Sequence, residues 1–190
     1  MRGAAPIALA LFAGPAAAAE GFETCFSQSI AHFEMGFART GVAETIEDYA
    51  LVTRDRVHHC GSLAIAACDR GQAPQACQRA LAADQRALTA RVLASLPAPV
   101  EVPASGLLPG LYPQLWDVAH GISAGDDCAG ADEPVSAWCD THEARLKLTE
   151  AVALWQVARL MGVAGAAVDL GWVSDAMPFQ PVPRPEEEVS

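Results

Sequence analysis

The chain has 190 residues, 52% of them hydrophobic, which is enough to build one domain with a core of its own. Its 12 lysines and arginines stand against 23 aspartates and glutamates, so that the formal net charge is −11. An acidic chain without a basic stripe is a poor partner for nucleic acid and for anionic membrane surfaces, since both associations depend on positive charge. An acidic surface favours solubility and, secondarily, attracts cationic partners.

Residues 1–19 have the composition of an export signal. Arg2 is the only charged residue before Glu20, the stretch between them is rich in alanine, leucine and isoleucine, and the alanines at 17–19 are the small residues that a signal peptidase recognises. We therefore expect cleavage after Ala19, which leaves 11 basic and 23 acidic residues and a formal charge of −12. The alternative is an uncleaved membrane anchor, for which this apolar stretch is short.

Six cysteines in an exported chain indicate a compartment in which disulfides form. Abundant alanine and arginine, with Lys147 as the single lysine, are typical of a GC-rich bacterial genome and favour the periplasm. The most apolar later stretch, 148–173, is interrupted by Glu150, Arg159 and Asp169 and predicts no membrane span. We expect a soluble periplasmic protein that does not insert into a membrane after signal cleavage.

In the first half of the chain, apolar residues recur at helical spacing. Phenylalanines and an isoleucine, three or four residues apart, predict a first helix over 22–40 that ends at Gly41. A second helix is predicted over 45–67 by the same spacing. Pro74 suits the first turn of a third helix, which Pro97 ends.

Prolines and glycines concentrated in 97–113 predict an extended connector between two helical halves. The connector joins a half over 20–96 to a half over 114–173, and the second half opens with a short helix over 114–123. The end of the chain, 177–190, is rich in proline and glutamate and cannot bury enough apolar surface to fold. We expect it to be a disordered acidic tail.

The most apolar helix is predicted over 140–161. Asp140 and Glu143 have the spacing of a capping box at its start. One apolar stripe passes through His142 and Leu146, and further apolar residues widen it to other sides of the helix. A helix that is apolar on more than one side lies centrally, so this is the expected core helix, and His142 is expected to be packed rather than to act as a base.

Six cysteines allow fifteen disulfide pairings, and the expected positions of the helices favour one of them. Two pairs each flank a turn, and the first two helices, folded back on each other, bring the remaining two cysteines level. The expected disulfides are Cys25–Cys60, Cys68–Cys77 and Cys128–Cys139. The sequence therefore predicts an all-α fold, a compact bundle of four to five helices stapled by three disulfides, in one domain over 20–176. Thiol redox catalysis is disfavoured because the chain has no C-x-x-C motif.

Two short motifs contain residue types that ligate copper or zinc. Neighbouring His58 and His59 point about 100° apart on a helix, and His32 with Met35 makes only half a site, so solvated helix faces explain both motifs better. An acidic loop contains possible calcium ligands but lacks the pattern of an EF-hand. Its acidic residues are Asp126, Asp127, Asp132 and Glu133. We expect no cofactor, while the sequence leaves a metal site open.

Motifs of catalysis are missing from the sequence, among them a nucleophile elbow, a zinc-protease helix, a phosphate loop and a dinucleotide fingerprint. We therefore expect no catalytic residues, and a binding or structural role in the envelope rather than an enzyme. The rival hypothesis is an enzyme with an unfamiliar site, in a cleft that gathers His58, His59, Glu47 and Asp55. A metal-binding carrier is the third possibility.

All four tryptophans lie in the second half of the chain, and an exposed one beside the last disulfide would form a recognition spot. Trp138 directly precedes Cys139, and Asp126 and Asp127 directly precede Cys128. We predict that Asp126, Asp127 and Trp138 bind a cationic protein partner.

The pattern Cys68-x8-Cys77 is followed by a predicted helix that bears Arg79, Arg86 and Leu88. Over this short stretch the chain resembles, in a general way, the small exported lysozyme-inhibitor modules. The resemblance implies a helical, disulfide-linked module that binds a cationic enzyme, and it transfers no site residue to this chain.

Overall fold

The computed structural model describes residues 15–40, 46–103, 110–121 and 128–173. These residues form five α-helices and one 3-10 turn, which confirms the predicted all-α fold with three disulfides. The helices are α1 (Pro15–Thr40), α2 (Ile46–Asp69), α3 (Pro74–Ala94), α4 (Leu111–Gly121) and α5 (Glu133–Leu160), and the 3-10 turn is Pro99–Glu101. Of the helices that the structure describes, none combines the length and apolar character needed to cross a membrane.

Helix α5 is the centre of the fold. Its residues 148–158 are all buried, so the prediction of a core helix that is apolar on more than one side is confirmed. The most extensive packing of α5 is against α3, and α2 and α4 also pack on it. Trp155 of α5 meets Phe33 of α1 edge to face, with ring centroids 5.2 Å apart. Helices from both ends of the chain therefore share one core.

The start of α5 differs from the prediction. The helix begins at Glu133, with Asp132 as its N-cap residue and Pro134 in its first turn. A proline in the first turn removes no hydrogen bond that the helix would make, so Pro134 does not delay the helix. Asp140 and Glu143 therefore lie inside α5, and the predicted capping box at that position is wrong.

The predicted connector over 97–113 is partly helical. Helix α4 begins at Leu111 and includes Pro113 in its first turn. As at the start of α5, a proline at this position removes no hydrogen bond of the helix. The Tyr112 hydroxyl donates a hydrogen bond of 2.7 Å to the Pro97 carbonyl, which ties the start of α4 to the segment that follows α3. Burial raises the pKa of Tyr112 to about 12.

Helix α1 begins at Pro15, ahead of its predicted start, and Ala18 packs into the core. Cleavage after Ala19 would therefore shorten α1 at its N-terminal end and leave most of the helix in place. The predicted break at Gly41 and the predicted tail over 177–190 lie outside the described residues.

The disulfides join the predicted cysteines and link consecutive elements of the fold. The first connects α1 to α2, the second connects α2 to α3, and the third ties the segment before α5 to the second turn of that helix. The pairs are Cys25–Cys60, Cys68–Cys77 and Cys128–Cys139. Each bridge thus holds one helix against the element that precedes it in the chain.

Candidate functional site

An exposed tryptophan lies in the first half of α5. Trp138 is 48% exposed, whereas Trp155 and Trp172 are buried and Trp116 is half-buried. The Trp138 ring lies against the His142 imidazole one turn further along the helix, with ring centroids 3.8 Å apart. This contact braces the indole ring while nearly half of the side chain stays open to solvent.

Two further apolar side chains extend this exposed surface. Val135 and Leu146 are 46% and 38% exposed, and their spacing from Trp138 and His142 places all four on one side of α5. These four residues are called the Trp138 surface below. Leu146, predicted to lie in the apolar stripe of the core helix, is thus partly exposed, whereas Leu148, predicted to widen that stripe, is buried.

The segment before α5 is held by the Cys128–Cys139 disulfide, directly beside the exposed tryptophan. Within this segment Gly130 has a φ of 74°, a left-handed conformation that glycine adopts without steric cost. The disulfide therefore joins a tight turn to the helix that carries the Trp138 surface. Asp126 and Asp127, the other predicted contact residues, lie outside the described residues.

Acidic side chains near the start of α5 are paired with arginines of α3. Arg79 bridges Glu133 at 2.7 Å and Asp140 at 2.9 Å, and Arg86 lies 3.2 Å from Asp140. The hydrogen bonds from Arg79 lower the pKa of Glu133. Glu133 is thus committed to an arginine, and among the described residues no group of three or more His, Cys, Asp or Glu side chains is placed to hold a metal ion.

A polar cluster lies where α2 packs on α5. Arg145 of α5 donates from Nη1 to the Ser62 hydroxyl at 2.5 Å and from Nη2 to Nδ1 of His142 at 2.9 Å. In the part of the chain that the structure describes, no carboxylate forms an ion pair with Arg145. The half-buried guanidinium group of Arg145 therefore donates its hydrogen bonds to a hydroxyl and an imidazole, and not to a carboxylate.

The environment of the two histidines in this cluster disfavours their protonated form. Burial, followed by the charge of Arg145, lowers the pKa of His58, which Asp55 opposes. Burial and then Arg145 also lower the pKa of His142, and Asp69 opposes that shift. Burial lowers the pKa of Arg145 as well. The positive charge of Arg145 therefore lies beside two imidazoles whose protonation is disfavoured.

The hydroxyl of Ser62 is not arranged for nucleophilic catalysis. Its Oγ donates to the His58 carbonyl at 3.0 Å and accepts from Arg145. A serine nucleophile needs a hydrogen bond from its hydroxyl to a side-chain base, and here the partner is a backbone oxygen. The cluster is better suited to positioning the neighbouring side chains than to covalent chemistry.

Gly61 allows the Arg145 side chain to pass close to α2. A Cβ atom at position 61 would lie 2.6 Å from Arg145 Cγ and 3.4 Å from Gln85 Nε2. Gln85 is fully buried, and both its amide atoms, together with Arg145 Nε, have no hydrogen-bond partner in the described residues. The sequence signal of this close approach is a lone glycine inside a helical stretch, and it was not among the predicted site residues.

The cleft expected around the histidines is a groove of about 580 Å³ between α1 and α2. Asp55 and His59 line this groove, beside the disulfide that joins the two helices. His58 lies on the other side of α2, toward Arg145, and the Glu47 side chain is outside the described part of the structure. The structure thus places Asp55 and His59 in one groove, which His58 does not line.

Ser29 of α1 also lines this groove, so that a serine, a histidine and an aspartate share one recess. The Ser29 hydroxyl donates to the Cys25 carbonyl at 2.9 Å and lies 3.5 Å from Cys60 Sγ. Among the described residues, no hydrogen bond joins Ser29, His59 and Asp55 to one another. The contact between nucleophile and base that defines a catalytic triad is therefore not formed.

The fold and these surfaces define a disulfide-linked helical protein with a braced, exposed aromatic side chain. Comparison with protein-family models, with curated proteins and with solved structures finds no match for this chain. Its function is therefore inferred from the geometry of its own residues.

Proposed function

We propose that this protein is an exported, periplasmic binding module that contacts a cationic protein through the Trp138 surface and does not act as an enzyme. The observation that carries the proposal is the 48% exposed Trp138, braced by His142 on a helix that a disulfide ties down. Tryptophan is among the commonest anchors of protein interfaces, and a braced ring loses little conformational freedom on binding. The three disulfides support an oxidising location outside the cytoplasm.

Charge complementarity favours a basic partner. The formal charge of −11 creates a field that raises the encounter rate with positive surfaces. Glu133 and Asp140 on α5 near the Trp138 surface are paired with arginines, and Glu143 beside His142 is paired with Lys147. The charge therefore acts mainly at long range. We expect the charge to govern the association rate, and the burial of Trp138 to govern the dissociation rate.

Affinity capture provides the first test. Immobilised wild-type protein, the variant Trp138→Ala and the control Leu63→Ala are exposed to a periplasmic extract at low and at high salt. Leu63 is a matched control because it is 51% exposed on α2, outside the Trp138 surface. Proteins that wild type and Leu63→Ala retain, and that Trp138→Ala loses, should be basic. A retained set that is acidic, or that is the same for all three baits, would contradict the proposal.

Binding kinetics with a purified partner test the division between charge and contact, and the resemblance to lysozyme inhibitors makes a cationic lysozyme the first probe. The association rate should fall with salt, since the Debye length shrinks from about 10 Å at 0.1 M to about 3 Å at 1 M. Trp138→Ala combined with Asp126→Asn and Asp127→Asn should weaken binding more than about tenfold. Deleting 178–190 should leave the affinity nearly unchanged. Binding that resists high salt, or that is lost with these last residues, would place the interaction on another surface.

A further inference from the structure

Helices α2 and α5 pack on each other and run in opposite directions. Arg54, in the first half of α2, pairs with Glu150 in the second half of α5. Ser62, about two turns further along α2, meets Arg145, which precedes Glu150 in α5. The last turn of α2 therefore lies beside the first half of α5, the part of the helix that carries the Trp138 surface.

Asp69, the last residue of α2, is level with Trp138. Asp69 follows Ser62 by seven residues, and Trp138 precedes Arg145 by seven. Seven residues span about 10.5 Å and nearly two full turns of a helix, so both residues stay on the side where Ser62 and Arg145 meet. Burial lowers the pKa of His142, and the Asp69 carboxylate is close enough to oppose that shift. Asp69 and Trp138 therefore lie side by side, and both are exposed.

The charge of Asp69 is not neutralised by a cation in the part of the chain that the structure describes. Its Oδ1 accepts a hydrogen bond of 2.6 Å from the uncharged amide of Gln78. Arg70, the next residue, is exposed and forms no ion pair with it. Three acids of α5, in contrast, are paired with arginine or lysine, and they are Glu133, Asp140 and Glu143. Asp69 thus keeps its charge for a partner that covers Trp138.

An exposed indole beside such a carboxylate fits a guanidinium group. The guanidinium group is planar, so it stacks on the open face of an indole while its N–H donors point, within its own plane, toward the carboxylate. A carboxylate accepts two of these donors side by side, a geometry that the ammonium group of lysine does not offer. Arginine is also among the commonest anchors of protein interfaces.

We propose that Trp138 and Asp69 together bind an arginine side chain of the basic partner. The guanidinium group stacks on the part of the indole that His142 leaves open, and its N–H groups donate to the Asp69 carboxylate. Trp138 supplies the contact area, and Asp69 supplies the preference for a cation. The inference rests on the proposed function, because it names the residue type that the partner contributes to the Trp138 surface.

Three capped amino acids test the site without a partner protein. N-acetylarginine amide has the planar cation, its citrulline analogue has the same shape without the charge, and its lysine analogue has the charge without the plane. The indole N–H signal of Trp138 in NMR spectra, assigned from its loss in Trp138→Phe, reports binding. The arginine probe should shift this signal and bind at least about threefold more tightly than either analogue. A signal that it does not shift, or binding no tighter than that of either analogue, would overturn the proposal.

Two variants with the same change in charge separate direct contact from long-range attraction. Asp69→Asn keeps the oxygen that accepts from Gln78, and should remove most of the preference for the arginine probe over the citrulline probe. An acid in the last turn of a helix is unfavourable for the helix dipole, so this variant should remain folded. Asp84→Asn, exposed on the side of α3 that faces α1, should keep the preference. An equal effect of both variants would overturn the proposal.

A purified basic partner separates this inference from the proposed function. Asp69→Asn should raise the dissociation rate of the partner at least about threefold, and Asp84→Asn should leave it unchanged. If Trp138→Ala loses the partner while Asp69→Asn releases it as slowly as wild type does, the arginine contact is wrong and the proposed function stands. If the arginine probe binds as expected and no basic protein is captured, the arginine site stands and the proposed function is wrong.

Discussion

Arg145 donates a hydrogen bond from Nη2 to Nδ1 of His142 over 2.9 Å, three residues apart on α5. Because arginine has donors and no acceptor, Nδ1 of His142 must offer a lone pair, and its ring proton lies on Nε2. The hydrogen bond therefore exists only while the imidazole is neutral. The same ring braces Trp138, so the polar cluster between α2 and α5 and the Trp138 surface share one side chain.

The two histidines predict a loss of stability at mildly acidic pH. Burial first and Arg145 second lower the pKa of His58 and His142 below their ordinary value of 6.5. A base whose pKa is lower in the folded protein binds fewer protons folded than unfolded, so its full contribution is present above pH 6.5 and is lost as the pH falls below it. His142→Gln and His58→Gln should each flatten the decline in the free energy of unfolding between about pH 7 and 5.

Urea denaturation across this pH range measures the effect. His120→Gln is the control, because His120 lies on α4 and no hydrogen bond or ion pair joins it to Arg145. If the free energy of unfolding of His142→Gln and of His58→Gln declines as steeply with falling pH as that of wild type, other groups cause the decline.

Gly61→Ala should destabilise the protein, although alanine is the better helix former. The new Cβ would lie 2.6 Å from Arg145 Cγ and 2.9 Å from Cδ, in the part of the side chain that Ser62 and His142 hold in place. Overpacking costs about 1–3 kcal/mol, and two contacts below 3.0 Å place this substitution in the upper part of that range, above the gain of about 1 kcal/mol in helix propensity. Thermal or urea denaturation measures the loss.

Two variants show whether the close contact with Arg145 is the cause. Gly21→Ala on α1 is the control, because nothing lies within 4 Å of its new Cβ, and it should not destabilise. Arg145→Ala in the Gly61→Ala background should cost less than in wild type. If the changes in the free energy of unfolding caused by the two substitutions simply add, the clash with Arg145 is ruled out as the cause.

Arg54→Met should lower the free energy of unfolding more than is usual for a substitution at an exposed residue. Its partner Glu150 is a buried carboxylate with 6% side-chain exposure, and the two form an ion pair in which Arg54 Nε lies 3.0 Å from Glu150 Oε1. Removal of the arginine leaves a buried charge uncompensated, which costs about 3 kcal/mol. Adding Glu150→Met should recover most of the loss in the free energy of unfolding. A double variant as unstable as Arg54→Met would contradict this account.

The disulfide between α1 and α2 should stabilise more than the one between α2 and α3. Cys25 and Cys60 are 35 residues apart in sequence, whereas Cys68 and Cys77 are 9 apart. A disulfide that closes a longer loop restricts the unfolded chain more. On the chain-entropy estimate, the two disulfides differ by about 1 kcal/mol in their contribution to the free energy of unfolding. Urea denaturation of the two double cysteine-to-alanine variants measures it, and the opposite order would show that native-state packing dominates.

Local spacing along the chain predicted most of the fold. Phe22 and Phe26 share a helical face because residues four apart always do, and Cys68 can reach Cys77 because a single turn separates them. The starts of α4 and α5 were predicted too late because Pro113 and Pro134 were interpreted as loop residues. A proline in the first turn of a helix sacrifices no hydrogen bond, so it permits an earlier start than the sequence analysis allowed.

By itself the sequence determined the helical class, the order of the elements and the cysteine pairs. The class and order follow from local spacing, two of the pairs flank a single turn, and Cys25–Cys60 follows from the fold-back of two consecutive helices. Only the tertiary structure decided that Trp138 is exposed while Trp155, on the same helix, is buried. It also decided that Arg145 meets Ser62 and that Trp172 packs on Phe26. These contacts join residues far apart in sequence, and they depend on which face of each helix its neighbours cover, a property that no local pattern of residues specifies.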